Sequence, residues 1–323
     1  MHHIIIDTDP GTDDYQAILS ALGSQKIEVL GITTVAGNVG IRKTTANALR
    51  ILEAVRRTEI GVYPGADKAL KKTSVDAANI HGEDGLAGSK LPPSTTLPRE
   101  QHGVDFILNT LKAHPPKTVT IAALGPMTNL ALALQKAPET MKLLKEIVAM
   151  GGGFGTFQDL HLTSGGNITP RAEFNIYADP EAAQIVCDSG ISLTMLPLDT
   201  THQAIITPER QSKIASIPLL GEDLNGVMHA ARAAEKSYNG APHPPLHDPT
   251  VMIYLDDPTI FQTIDCKISV SAADDDSRGE TTFRKDISGK PHKASLGLNS
   301  DAFFDAVQRC ISRCADLSIS RKN

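Results

Sequence analysis

The sequence predicts an α/β fold, a mostly parallel central sheet flanked by helices, with a small antiparallel appendage near the C-terminus. Two patterns carry that expectation. From residue 4 to residue 201, short apolar runs alternate with stretches whose apolar residues recur at helical spacing, the rhythm of βα units. From 260 to 296 the chain changes to strand-like runs separated by two turn signals, Asp274-Asp275-Asp276-Ser277-Arg278-Gly279 and Ser288-Gly289-Lys290-Pro291.

Ile4-Ile5-Ile6 is the first strand. Residues 13–22 place Ala17, Ile18, Ala21 and Leu22 on one helical face, and Gly23 ends that helix. A β-rich run over 29–36 leads into Gly37-Asn38, and 44–57 is helical with Ala48, Leu49, Leu52 and Val55 inward. A strand over 118–124 ends at Gly125-Pro126 and is followed by a helix over 128–135. A strand over 146–150 ends in Gly151-Gly152-Gly153. Asp179 and Pro180 have the signature of a helix N-cap and first turn. The strand over 191–196 ends at Asp199-Thr200-Thr201, an apolar helix spans 250–255, and a closing helix spans 301–317. In open sheets of this kind ligands bind beyond the carboxyl ends of the strands, where the polar and Gly-rich residues of this chain cluster.

Composition narrows the function. The 323 residues include no linker, repeat or low-complexity segment, so 1–323 is read as one domain. The net charge of −6, with basic residues scattered, argues against a nucleic-acid surface. No run of 18 apolar residues is present, so no membrane span is expected. The N-terminus enters a strand without a basic or apolar leader, which makes a cytoplasmic enzyme the expectation. Cys187, Cys266, Cys310 and Cys314 are too sparse for a disulfide scaffold and read as small buried hydrophobes. Asn167-Ile168-Thr169 fits a glycosylation sequon that has no relevance without secretion.

The densest chemical signal is Asp7-Thr8-Asp9-Pro10-Gly11-Thr12-Asp13-Asp14, directly after the first strand. Four carboxylates in eight residues repel, and each raises its neighbours' pKa. A divalent cation relieves that crowding, and carboxylate oxygens suit Ca²⁺ or Mg²⁺. Such a cation lowers the pKa of a bound water, leaving a spare aspartate to take the proton. The plainer alternative is that Asp13 and Asp14 cap a helix while Asp7 and Asp9 solvate a loop, which explains one or two acids but not four.

Three further segments offer polar groups. His81 lies in the Gly-rich stretch His81-Gly82-Glu83-Asp84-Gly85, where an acid or hydrogen-bonding role stands beside an ordinary exposed loop. Asn167, Glu173 and Asn175 mix donors and acceptors in a way that suits sugar hydroxyls, or an ordinary polar loop. In His247-Asp248-Pro249, Asp248 is either a helix N-cap or a distant contribution to the metal site, with His247 beside it as a general acid.

Together these segments resemble the inosine–uridine preferring nucleoside hydrolases. The resemblance is carried by residues 7–14, Thr-Val-Ala-Gly-Asn (34–38), His-Gly-Glu-Asp-Gly (81–85) and Leu-Gly-Pro-Met-Thr-Asn-Leu-Ala (124–131). Met-Gly-Gly-Gly (150–153), Ala-Glu-Phe-Asn (172–175), Asp-Pro-Glu-Ala (179–182) and His-Asp-Pro (247–249) complete it. They fall in the family's order, and only residues after about 255 lack such a motif.

The resemblance implies a Rossmann-like nucleoside hydrolase fold and Ca²⁺ held by Asp9, Asp14, Asp248 and the main-chain carbonyl of Thr128. It implies Asp9 as general base, deprotonating a Ca²⁺-bound water that attacks C1′ of a ribonucleoside. Asp13, Asn38, Asn167, Glu173 and Asn175 would hold the ribose hydroxyls, Met150 would line the sugar pocket, and Asp7 would stand behind the metal ligands. Cleavage through an oxocarbenium-like state fits a carboxylate-rich pocket. His247 and His81 are the candidates for assisting departure of the base, and a histidine among carboxylates is expected to hold its proton more readily. Tyr238, in a Gly- and Pro-rich stretch, would belong to a flap over the base, and His243 there has no assigned role. The chain has no Trp, which excludes the tryptophan-stacking purine-selective subgroup and leaves the histidine-containing, broader group. A homodimer or homotetramer acting in nucleoside catabolism and salvage is carried over with it.

Two other readings compete. An Asp-x-Asp phosphatase would use Asp7 as nucleophile and Asp9 as general acid, and needs a lysine and a second acidic pair at later strand ends. A non-catalytic nucleoside- or ribose-binding protein would keep the metal site but needs neither a base nor an acid.

Overall fold

The computed structural model of the chain describes residues 1–71, 75–155, 165–285 and 292–321. Its frame is a nine-stranded sheet. The strands are β1 (His2–Thr8), β2 (Ile27–Thr34), β3 (Val62–Pro64), β4 (Val119–Ala123), β5 (Glu146–Met150), β6 (Leu193–Leu196), β7 (Phe261–Val270), β8 (Thr281–Arg284) and β9 (His292–Leu298). Their order across the sheet is β3-β2-β1-β4-β5-β6-β9-β7-β8. From β3 through β9 every pairing is parallel, and β7 runs antiparallel to both β9 and β8.

The antiparallel strands expected near the C-terminus are present, but they extend the main sheet. β9 joins β6 in parallel at Thr194↔Lys293 and Met195↔Ala294, and β7 and β8 complete that edge. The turn read at 288–291 lies outside the described residues.

The helices are α1 (Thr12–Gly23), α2 (Ile41–Ala54), α3 (Ala78–His81), α4 (Gly103–Ala113), α5 (Thr128–Lys136), α6 (Pro138–Met141), α7 (Phe174–Ala178), α8 (Pro180–Asp188), α9 (Leu198–Thr201), α10 (Pro208–Ala215), α11 (Gly221–Asn239), α12 (Pro249–Asp256) and α13 (Ser300–Ser320). β1 shows why the sheet is covered on both sides. Ile4, Ile5 and Ile6 are all fully buried, with Ile4 and Ile6 in the core that includes α1, α2, α12 and α13, and Ile5 in the core that includes α4, α5 and α8. Alternation along a strand sends consecutive side chains to opposite faces, and a parallel strand buried on both reads as an unbroken apolar run.

Asp179 accepts from the Ala182 amide with Pro180 next, so α8 begins as its sequence signature predicts. Register then places the site. Thr8 pairs with Thr34, Asp7 with Ala123, Ala123 with Ala149, and Met150 with Leu196. The carboxyl ends of five strands therefore form one rim.

Candidate active site

The floor of the site is the aspartate motif where β1 hands over to α1. Asp9 is fully buried, its carboxylate held between two strand-end glycines. A Cβ on Gly37 would lie 2.0 Å from Asp9 Oδ2, and one on Gly125 would lie 2.3 Å from Oδ1, so only glycine lets those two turns close around the acid. The Asn38 amide donates to Asp9 Oδ2 at 2.7 Å, while Oδ1 is buried with no hydrogen-bond partner.

Asp14 is equally buried. It accepts from the Thr8 hydroxyl, from the Gly11 amide at 2.8 Å and from Asn38 Nδ2 at 3.2 Å. Oxygen atoms of Asp13, Asp14 and Asp248 all lie within 4.8 Å of one another. Burial, then Asp14, pushes Asp9 well above the usual carboxylate range, and burial, then Asp13, pushes Asp14 to about 6. Asp248 rises for the same reasons, from burial and from Asp13, Asp14 and Asp9 in turn. Such a cluster resists full ionisation unless a positive charge enters it. Hard oxygen donors, three converging carboxylates and a buried unpartnered Asp9 Oδ1 fit a divalent cation.

Asp248 immediately precedes α12, yet its side chain makes no capping hydrogen bond. It thus occupies the N-cap position, but capping does not account for its carboxylate. Asp7 points away from the cavity, accepting from Thr33 Oγ1 at 2.5 Å and Asn129 Nδ2 at 2.7 Å, and burial raises it to about 6. Thr128 is buried, and its hydroxyl donates to Asp179 Oδ2 at 2.8 Å.

Above the floor is a cavity of about 380 Å³. Asp13, Asn38, Met150, Asn167, Glu173 and Asn175 line it. Glu173 caps α7: its Oε1 accepts from the Asn175 amide at 2.9 Å, and its Oε2 from the amides of Gly152 at 2.9 Å and Ile176 at 3.1 Å. Burial outweighs those bonds and raises Glu173 to about 7. Asn175 Nδ2 donates to the Leu124 carbonyl at 2.7 Å, which leaves its amide oxygen for a ligand. Asn167 Oδ1 accepts from the Phe174 amide at 2.9 Å, so its amide group is partly committed to the fold.

His81 and His247 also line the cavity. His81 Nδ1 accepts from the Thr12 amide at 3.2 Å, and His247 Nδ1 is paired with Thr201 Oγ1 at 2.7 Å. The expectation that neighbouring carboxylates would keep these rings protonated is not met. Burial lowers both pKa values and outweighs the opposing pull of Asp13. For His81 the positive end of the α1 dipole disfavours the cation further.

Of the thirteen residues expected to act in catalysis, substrate binding or metal ligation, ten line this cavity. Asp9, Asp14 and Thr128 are the exceptions, buried among the residues around it. Tyr238 lines it from the C-terminal end of α11, so the flap expected there is a helix end, with Gly240 at φ 68 closing it. The chain leading to Tyr238 is helical where a flap is expected: α11 occupies Gly221–Asn239, and Leu224, Val227 and Met228 recur at helical spacing. Its Val227, Ala231, Glu235 and Tyr238 face the cavity. His202, just past the Asp199-Thr200-Thr201 strand end, was also overlooked. It lines the cavity with its ring centroid 5.4 Å from that of His247, and burial, then His247, lowers it to about 3.

A family model described as inosine-uridine preferring nucleoside hydrolase matches residues 4–305. An uncharacterized protein of Schizosaccharomyces pombe is 45% identical over 259 residues, 80% of this chain and 81% of that protein. The pyrimidine-specific ribonucleoside hydrolase RihA of Shewanella sp. (strain MR-7) is 39% identical over 312 residues, 94% of each chain. The solved structure of a purine-preferring ribonucleoside hydrolase from Gardnerella vaginalis matches with a TM-score of 0.87 at 31% identity, covering 97% of this chain and 99% of that one.

Proposed function

The chain belongs to the inosine-uridine preferring nucleoside hydrolase family and hydrolyses ribonucleosides, and from that membership we propose how its site does so. A divalent cation, Ca²⁺ on the resemblance, would be held by Asp9, Asp14, Asp248 and the Thr128 main-chain carbonyl. When bound it would offset the carboxylate crowding and make a water more acidic. Asp9 takes the proton of the attacking water through its unpartnered Oδ1. The water oxygen bonds to C1′, the N-glycosidic bond breaks, and the base departs with the bonding pair.

Asp13, Asn38, Asn167, Glu173 and Asn175 grip the ribose hydroxyls, which orients C1′ and stabilises the positive charge developing on the ring. Met150 packs against the sugar. His247 and His81 assist the base as neutral N–H donors, in keeping with their lowered pKa values. Tyr238 closes over the base from the cavity mouth. The observation that carries the proposal is a single cavity lined both by a cluster of carboxylate and amide groups and by His81 and His247.

The phosphatase reading lacks its parts. Asp7 is fully buried and bonded to Thr33 and Asn129, and no lysine lines the cavity among the described residues. Similarity does not choose the base, because the Shewanella relative is named for pyrimidines and the Gardnerella one for purines. The resemblance also brings a single domain over 1–323, a homodimer or homotetramer, a cytoplasmic setting and a role in nucleoside catabolism and salvage. The unbroken order from β3 to β8 supports the first of these. Among the described residues no helix is long and apolar enough to cross a membrane.

Free base and ribose released from inosine, uridine, adenosine, cytidine and their 2′-deoxy forms, with and without chelator, test the proposal. Chelator-sensitive cleavage of the ribo forms alone is expected, and the assay ranks the bases. Equal cleavage of the deoxy forms would remove the hydroxyl grip. No cleavage by cation-loaded protein would leave a binding protein.

A further inference from the structure

Two of the three histidines lining the cavity, His81 and His247, are held by the same ring atom. His81 Nδ1 lies 3.0 Å from the Thr12 hydroxyl and also accepts, at 3.2 Å, from the Thr12 main-chain amide, which can only donate. Nδ1 therefore carries no proton, and the neutral ring presents Nε2–H. The Thr12 amide is one of the free donors at the start of α1, so the helix itself sets this tautomer.

His247 has no such amide. Its Nδ1 meets the hydroxyl of Thr201, the last residue of α9, at 2.7 Å. Thr201 is fully buried, and among the described residues Nδ1 is the partner recorded for that hydroxyl. If Nδ1–H donated to Thr201, the hydroxyl proton would be buried without an acceptor. If Thr201 donates to Nδ1, only lone pairs go unused, and a missing donor contact is the costlier omission in a buried site. The next residue, His202, packs beside the His247 ring as an uncharged imidazole. Consecutive residues at the end of α9 thus fix which nitrogen of His247 carries the proton and how the ring lies.

We propose that Thr201 is a positioning residue for the hydrolase reaction, donating to His247 Nδ1 so that Nε2–H faces the departing base. The proposal rests on the role given above to His247. The two are separable with two substrates, a natural nucleoside such as uridine and p-nitrophenyl riboside, whose leaving group needs little help.

Thr201→Val removes the hydroxyl at nearly constant volume. It should lower kcat on uridine roughly tenfold or more while changing the nitrophenyl riboside less than about threefold, because general acid–base assistance is worth roughly 10²–10⁴. Thr201→Ser should restore uridine turnover. ¹⁵N spectra of histidine-labelled enzyme, with His247 assigned from the spectrum of His247→Ala, should show Nε2–H in wild type and a mixture of tautomers in Thr201→Val. Equal losses on the two substrates, failure of serine to rescue, or an unchanged His247 tautomer would each overturn the proposal. If His247→Ala itself showed no substrate split, the leaving-group role of His247 would fall. If it showed the split and Thr201→Val did not, only the role of Thr201 would.

Discussion

The floor of the cavity and its helical wall were built under different constraints. The floor packs Asp9, Asp13, Asp14 and Asp248 together at the end of β1, an arrangement destabilising by itself and given purpose by a cation. The wall is made by α11 and by α3 with the residues just before it, through Val227, Ala231, Ile80 and other unremarkable residues. Crowded charge is rare in folded chains and leaves a mark in the sequence. A shaped apolar surface is assembled from the same residues as any core. The chemistry of the reaction was therefore legible and the shape that selects a base was not.

The largest expected effect is on the floor. Asp9→Asn should lower turnover of ribonucleosides by roughly 10²–10⁴, the range for a lost general base, while the protein stays folded, since a buried charge has been removed. Near wild-type turnover would take the base role from Asp9.

Glu173 should show its burial as a pH dependence. Its ordinary value of 4.5 is raised to about 7 in the folded protein, so between those values the folded state binds more protons than the unfolded state. Stability therefore falls as pH rises through that window, by up to roughly 3 kcal/mol at 1.36 kcal/mol per pKa unit. Unfolding of cation-free protein measured from pH 4.5 to 7 should show at least that slope, because Asp7 and Asp14, raised to about 6, add to it, and Glu173→Gln should reduce it. Equal slopes would place the titration elsewhere.

On the wall the effects should be smaller. Asp223 of α11 holds the loop that follows His81, accepting from Ser89 Oγ at 2.9 Å and from the Lys90 amide at 2.5 Å. Asp223→Ala should lower stability by about 1–2 kcal/mol and raise KM several-fold with little change in kcat. A fall in kcat alone would mean that the loop acts on the chemistry rather than on binding. The smallest effect belongs to Tyr238, which is 54% exposed. Tyr238→Ala should leave the melting temperature unchanged and move KM by about twofold at most, as expected of a surface position. A large loss would make the cavity mouth as demanding as its floor.

The same contrast explains what the sequence disclosed. The parallel sheet was visible because Ile4-Ile5-Ile6 and the later apolar runs sit between helical stretches. The shallow pairing of β9 with β6 was not, because the two strands lie far apart in sequence and share two register pairs. Asp248 was recognisable as a distant partner of the first motif, yet only the fold could show that at the N-cap position of α12 its side chain makes no capping hydrogen bond. α11 was hidden by the Gly and Pro residues after its end, although its own apolar spacing was present. His202 was discoverable, since it directly follows a polar strand end of the kind that marks the other site residues. The histidine protonation was misjudged because burial, which sequence does not report, outweighs the charge of Asp13.

The most direct test of the floor's role is a titration. Protein stripped by chelator is loaded stepwise with Ca²⁺, and heat of binding and hydrolysis of inosine and uridine are followed in the same samples. The account predicts one equivalent bound per chain, with activity returning in proportion, and loss of both in Asp14→Asn and Asp248→Asn. Full turnover by the stripped protein, or one equivalent bound with no return of activity, would contradict it.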